Sequence, residues 1–158
     1  MKSVTHNALS LGVTFYIARH AGFSFPFSLL LAVWLSFAVN WVIDALGHGT
    51  RGGRPVRTFI THSVFLAPIW GGVIGYTSFV LANAALGLPS GWVLAIFASL
   101  LGVVIALSHL FLDALTEGGV YWRLHRVALA RARHNNPILN ASFLLLGLVL
   151  FVAPFLGY

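Results

Sequence analysis

Five apolar runs, over residues 7–22, 26–47, 58–87, 91–115 and 137–157, follow one another, separated by breaks marked by proline, glycine or charge, of which only Glu117 to Asn136 is a long polar stretch. No other feature limits the fold as strongly. Crossing the hydrocarbon of a bilayer takes roughly 20 residues of helix at about 1.5 Å each, and the second, fourth and fifth runs meet that length. The first is marginal, either a short tilted span or a re-entrant segment, with Arg19 and His20 snorkelling to the interface. The third is over-long, so its first turn is expected to stand outside the membrane, and Pro68 with the glycines at 71, 72 and 75 permits a kink. Composition agrees. The 158 residues are 59% hydrophobic and 8% charged, with a mean hydropathy of +0.92, which excludes an ordinary water-soluble domain. The expectation is an all-α integral membrane bundle of about five transmembrane helices, one domain over residues 1–158.

Nine basic residues against three acidic ones give a formal charge of +6. In a soluble protein that balance suggests nucleic acid, but here the membrane accounts for it and no specific nucleic-acid binding is expected. Arg51, Arg54 and Arg57 fall in one interhelical segment and Arg123, Arg126, Arg131 and Arg133 in another, whereas the segments "AGFSF" and "GLPSG" carry no charge. Lys2 and both clusters come out on one side, which the positive-inside rule makes cytoplasmic, so the topology reads N-in and C-out. Residues Glu117 to Asn136 read as a basic amphipathic helix on the cytoplasmic surface, before the last span and near anionic head groups. The N-terminal stretch lacks a signal-peptide cleavage pattern and reads as mature sequence. With no cysteine, disulfides, thiolate metal ligands and a cysteine nucleophile are excluded.

Polar groups inside hydrocarbon cost several kcal/mol unless satisfied, so their positions carry information. Asn40, Asp44 and His48 lie at i, i+4 and i+8 in the second run, and His109, Asp113 and Glu117 repeat that spacing in the fourth, each set on one helix face. His6 opens the first run and Thr61, His62 and Ser63 open the third. Odd-numbered runs start, and even-numbered runs end, on the cytoplasmic side. His6, Asp44, His48, His62, His109, Asp113 and Glu117 therefore fall near one depth, and every acid in the chain is among them. A single intramembrane His or Asp commonly just bridges helices, but four helices agreeing on depth point to a shared ion. Nitrogen and oxygen donors without sulfur suit zinc, with manganese or iron(II) as alternatives. His125 and His134, set among arginines, read as interfacial.

At these residues the sequence resembles a known family. The strings "THNALSLG", "VIDALGH", "RTFITHS" and "SHLFLDALTEGGV" are similar, in order and approximate spacing, to the motifs of the YdjM-type family, described as LexA-binding, inner-membrane, metal-dependent hydrolases, and of an archaeal membrane family close to it. More remotely, the ordered pattern is similar to the zinc ligands of the zinc-dependent phospholipase C and single-strand nuclease superfamily. The resemblance implies that His6, Asp44, His62, His109 and Asp113 bind one or two divalent ions, with Asp113 able to bridge a pair. The chain departs from the YdjM-type pattern at Val42, where that pattern has a second carboxylate, and at Arg57, Thr58 and Phe59, which replace a His-Arg-Gly lead-in.

The resulting expectation is a metal-dependent hydrolase at the cytoplasmic membrane face, cleaving a phosphoester such as a lipid head group. A bound ion acidifies water and polarises the phosphoryl oxygen. Glu117 or His48 is the candidate base, Thr61 and Ser63 support the ligands, and Arg51, Arg54, Arg57 and Arg123 are candidate phosphate clamps as well as positive-inside anchors. Membrane lipids are the expected surroundings, and small residues such as "GGVIGYTS" suit contacts within one chain or in a homo-oligomer. The chief alternative is a noncatalytic metal site stapling a protein that recruits a partner. A divalent-cation or proton transporter ranks third, because the outer halves of the runs offer almost no polar residue.

Overall fold

The structure, a computed structural model, describes residues 1–51, 54–87 and 91–158, the side chains of residues 48, 50, 51, 54–56 and 86 excepted. It is built of α1 (Ser3–His20), α2 (Phe25–Gly47), a hairpin of β1 (His48–Arg51) and β2 (Arg54–Arg57), the single turn α3 (Phe59–His62), α4 (Leu66–Leu86), α5 (Trp92–Ala114), a second hairpin of β3 (Val120–Trp122) and β4 (His125–Val127), and α6 (Pro137–Val152), which continues as a 3-10 turn, Ala153–Phe155. Local chemistry sets several of these bounds. Pro26 sits in the first turn of α2, where its missing N–H costs nothing. The α6 helix starts at Asn136, whose side chain accepts from the Leu139 N–H at 3.0 Å, with Pro137 at the first helical position. Gly87 ends α4 in the left-handed conformation, φ 61°.

The third apolar run divides into α3 and α4. Pro68 can neither donate to the carbonyl four residues back nor tolerate its approach, so the helix cannot continue backward through Val64. The backbone is extended at Ser63, and the Val64 N–H bonds Tyr121 O at 3.0 Å instead. The break frees α3 to turn His62 into the bundle.

Helices α4 and α5 pack antiparallel with Gly71 against Gly102 and Gly75 against Ala98, where any Cβ on these glycines would meet the facing backbone. Helix α6 lies parallel to α1, joined by Thr5 Oγ1 donating to Asn140 Oδ1 at 2.6 Å. The core is apolar along most of its length, with Leu35, Val39, Ile43, Leu101, Ile105 and Leu110 buried together.

The outer surface is equally apolar. Trp34, Phe37 and Trp41 on α2 and Leu145, Leu148 and Val149 on α6 are all more than half exposed. Leaving such side chains in water forfeits about 1.5–3 kcal/mol each, so a continuous belt of them fits a lipid surface. Phe25–Gly47, Trp92–Ala114 and Pro137–Phe155 are the three helical segments, among the described residues, long and apolar enough to cross a membrane.

The segment expected to form a basic amphipathic helix does not form one. Residues 117–136 hold the β3–β4 hairpin and irregular chain, and both positive-φ non-glycine residues of the protein's described part, Arg123 at φ 53° and Arg131 at φ 50°, lie there. The arginine spacing imitates a helical face, but Gly118-Gly119 followed by "VYW" favours a turn and a strand. The hairpin is tied to the bundle by Tyr121, whose hydroxyl donates to Arg57 O at 3.2 Å.

Candidate metal centre

Four helices deliver five polar side chains to one end of the bundle. His6 comes from the first turn or so of α1, Asp44 from the last turn of α2, His62 from the end of α3, and His109 and Asp113 from one face of α5. Asp113 is the hub. Its Oδ1 lies 3.2 Å from His6 Nε2, and its Oδ2 lies 3.3 Å from His62 Nε2 and 3.4 Å from His109 Nε2. Asp44 Oδ1 is 3.5 Å from His109 Nε2. Two overlapping sets, His6–His109–Asp113 and Asp44–His62–His109, each bring one donor atom per residue within 4.8 Å of the others. His6, His62, His109 and Asp113 are buried, and the Asp44 side chain is 28% exposed.

The neighbours of the imidazoles decide which nitrogen holds the proton. His109 Nδ1 is 2.9 Å from Asn40 Oδ1. That amide is oriented by its other end, since Asn40 Nδ2 donates to Asn7 Oδ1 at 3.0 Å, Ser10 Oγ at 3.1 Å and Ser36 O at 2.9 Å. Asn40 Oδ1 only accepts, so His109 Nδ1 carries the hydrogen and Nε2 keeps a lone pair. The same logic applies at His62. Thr61 Oγ1 spends its one proton on Ile43 O at 2.9 Å and accepts from His62 Nδ1 at 3.1 Å. Both Nε2 lone pairs then face Asp113 Oδ2.

Lone pairs of two imidazoles directed at a carboxylate oxygen repel unless a cation lies among them, and His109 Nε2 and Asp113 Oδ2 are buried without a hydrogen-bond partner. Ligand atoms about 2.0–2.1 Å from a zinc ion sit roughly 3.3–3.4 Å apart on a tetrahedron. The four His–carboxylate separations of 3.2–3.5 Å are of that size, and within each donor set the ligand atoms lie no more than 4.8 Å apart. The donor set, its protonation and its spacing all fit a divalent ion, and these buried His and Asp groups can hold one.

Surrounding groups fix the ligands. Arg57 Nη2 donates to Asp113 Oδ1 at 2.6 Å, and the Met1 amino nitrogen lies 2.9 Å from the same oxygen. Arg57 Nη1 donates to Gly119 O at 2.9 Å and reaches Thr116 Oγ1 at 3.3 Å. Burial pushes the Arg57 guanidinium down from its ordinary range while Asp113 pulls it back up, and a guanidinium stays charged in either case. Gly47 permits the close approach of α3, because a Cβ there would lie 2.6 Å from His62 Nδ1 and closer still to Cε1.

The other residues singled out in the sequence fall elsewhere. Glu117 belongs to neither donor set. Its carboxylate is 59% exposed and lies 3.7 Å from His134 Nδ1. The i, i+4 repeat from His109 breaks because α5 ends at Ala114, with the Thr116 N–H turning back to Asp113 O at 3.0 Å. Arg57 is engaged with Asp113 in place of a clamp position, and Arg123 is exposed at the tip of the second hairpin. Ser63 Oγ accepts from the Phe65 N–H in a local turn, 3.3 Å away, leaving Thr61 as the hydroxyl that touches a candidate ligand. The side chains of His48, Arg51 and Arg54 lie outside the described residues. Sequence reasoning placed Asn40 on the correct face without assigning it the His109 contact. It missed Asn7, Ser10 and Asn140, whose only signal was polarity inside apolar runs.

Fold and site together define a helical protein with membrane-length apolar helices and a buried His/Asp cluster able to bind a metal ion. The family model described as "Protein of unknown function (DUF1286)" matches residues 1–112, and the chain belongs to that family. The match takes in His6, Asp44, His62 and His109 and stops one residue short of Asp113. No curated protein and no solved structure matches the chain.

Proposed function

We propose that the protein is a membrane-embedded, metal-dependent hydrolase that cleaves a phosphoester at the cytoplasmic end of its helical bundle, with zinc as the favoured ion and membership of the YdjM-type hydrolases as part of the same reading. The observation that carries it is the pair of Nε2 lone pairs, on His62 and His109, converging on a buried Asp113 oxygen. His6, Asp44, His62, His109 and Asp113 would hold the ion, which supplies an acidified water and an electrophile for a phosphoryl oxygen. A single ion is favoured. His109 offers one lone pair, since Nδ1–H is committed to Asn40, and both donor sets need it.

The chain's own part is positional. Arg57 and the Asn40 amide lock the two α5 ligands, and Thr61 locks His62. Asp44 is the partly exposed donor, so a substrate phosphate approaches on its side. For the bundle, we propose five crossings by α1, α2, α4, α5 and α6. Helix α1, at 18 residues and about 27 Å, is the shortest of the first four. The arginine-bearing hairpins at the site's end are taken as cytoplasmic.

Near-complete burial of four donors favours a second reading, a closed structural metal site. Elemental analysis of purified protein, followed by turnover of bis(p-nitrophenyl) phosphate with and without chelator, separates the two. Stoichiometric metal with turnover that disappears on chelation and returns with zinc supports the hydrolase. Stoichiometric metal, no turnover and a thermal collapse on chelation supports the staple. Metal-free protein refutes both.

A further inference from the structure

A recess of about 390 Å³ lies between α1 and α2 at the edge of the metal centre, lined by Asn7, Phe37, Asn40, Trp41, Asp44 and Ala45 among others. Its two sides differ in chemistry. Asp44, the exposed donor, and the Asn7–Asn40 amide pair form a polar floor. Phe37 and Trp41, 64% and 65% exposed, form a wall that faces outward from the bundle among the apolar belt of α2. Seven residues of helix separate Phe37 from Asp44, about 10 Å along the axis. Asp44 therefore sits near the end of α2, three residues from Gly47, with Trp41 roughly 4.5 Å and Phe37 roughly 10 Å further along the axis in the apolar zone.

Resting on the hydrolase reading, we propose that this recess is the binding site for a membrane phospholipid, which enters sideways from the bilayer with its phosphate toward the ion that Asp44 would help hold and the start of an acyl chain along Trp41 and Phe37. A solute arriving from water has no use for an apolar wall extending toward the hydrocarbon, whereas an amphiphile needs this order of surfaces at this spacing. Burial of His6, His62, His109 and Asp113 leaves the Asp44 side as the accessible edge among the described ligands. The chemistry is a balanced hydrolysis. Water oxygen bonds to phosphorus, the P–O bond to the leaving alcohol breaks, one water proton ends on that alcohol, and the other leaves with the phosphate product.

The test uses full-length protein in vesicles of phosphatidylcholine and phosphatidylglycerol doped with a phospholipid that carries a photoreactive diazirine near the head of one acyl chain. Labelling should concentrate on the Phe37–Ala45 segment. Ala45→Trp, which fills the recess without replacing a donor, should lower that labelling at least fivefold while metal content and labelling of the other helices are unchanged. Uniform labelling of all helices, or labelling indifferent to Ala45→Trp, overturns the recess. Lipid turnover is scored separately. Recess labelling by metal-loaded protein without hydrolysis leaves the binding site standing and removes the hydrolase. Turnover of bis(p-nitrophenyl) phosphate without recess labelling keeps the hydrolase and removes lateral lipid access.

Discussion

Replacing Asn40 by leucine keeps the branched shape of the side chain and removes the group that decides the tautomer of His109. The wild-type amide gives one acceptor to His109 Nδ1–H at 2.9 Å and donates to Asn7, Ser10 and Ser36. In Asn40→Leu the fully buried His109 keeps a donor with no partner, a cost of about 1–3 kcal/mol in stability. Its ring is also free to place the proton on Nε2, where it blocks ligation. Loss of an outer hydrogen bond to a ligating histidine typically lowers metal affinity by about 10- to 100-fold. Asn40→Asp separates the two effects. It keeps an acceptor for Nδ1–H and adds negative charge beside the imidazole, so zinc affinity should equal or exceed that of the wild type, even though the donors to Asn7 and Ser36 are lost and stability falls. The assay is competition for zinc against a fluorescent chelator in detergent, paired with thermal unfolding of the metal-free protein. Leucine should weaken zinc binding and aspartate should not. Equal affinity in the leucine variant and the wild type, or a weaker aspartate variant, would refute the argument that Asn40 acts through His109 Nδ1.

Asp113→Ala should purify without metal and lose up to about 3–5 kcal/mol of stability, because the largely buried Arg57 loses the carboxylate it donates to; metal content equal to the wild type by elemental analysis contradicts the hub assignment. Gly47→Ala places a methyl group against the His62 ring, and overpacking of this kind costs about 1–3 kcal/mol, so thermal unfolding should shift downward and zinc affinity should fall with it. Glu117→Gln should leave metal content unchanged and move stability by no more than about 0.5 kcal/mol, since its carboxylate is exposed and 3.7 Å from an exposed histidine; a tenfold loss of phosphoester turnover would restore it as a base.

The apolar runs foretold α2 and α5 nearly to the residue and the start of α6, whose α-helix ends at Val152 where the run extends to 157, because length and hydropathy are properties of the sequence itself. Pro68 was legible as an interruption, but its effect depended on the frame. At the third position of α4 it stops the helix from reaching back to α3, a boundary where a mid-helix bend was expected. Residues 117–136 misled because arginines recur at helical intervals. Tertiary partners decided that segment, with Val64 N–H pairing to Tyr121 O and Thr116 bridging to Ala132, and no periodicity encodes such distant pairings.

The candidate ligands became visible for a thermodynamic reason. A polar side chain in an apolar run must be satisfied, and antiparallel helices bring the starts of some runs to the ends of others, so depth alone groups His6, Asp44, His62, His109 and Asp113. Depth does not say which groups touch. Glu117 shares the spacing of Asp113 yet lies past the end of α5. Arg57 shares its charge with the other arginines of the two basic segments yet, among the described side chains, is the one that meets Asp113, 56 residues away. Even the proton on His109 is set from another helix, by an amide whose orientation follows from three further acceptors. Burial cost narrows where a metal centre lies, but protonation decides whether it binds. Those protonation states are carried by Asn40 and Thr61, neutral residues whose positions the sequence marks, on the Asp44 face and beside His62, but whose particular partners it does not.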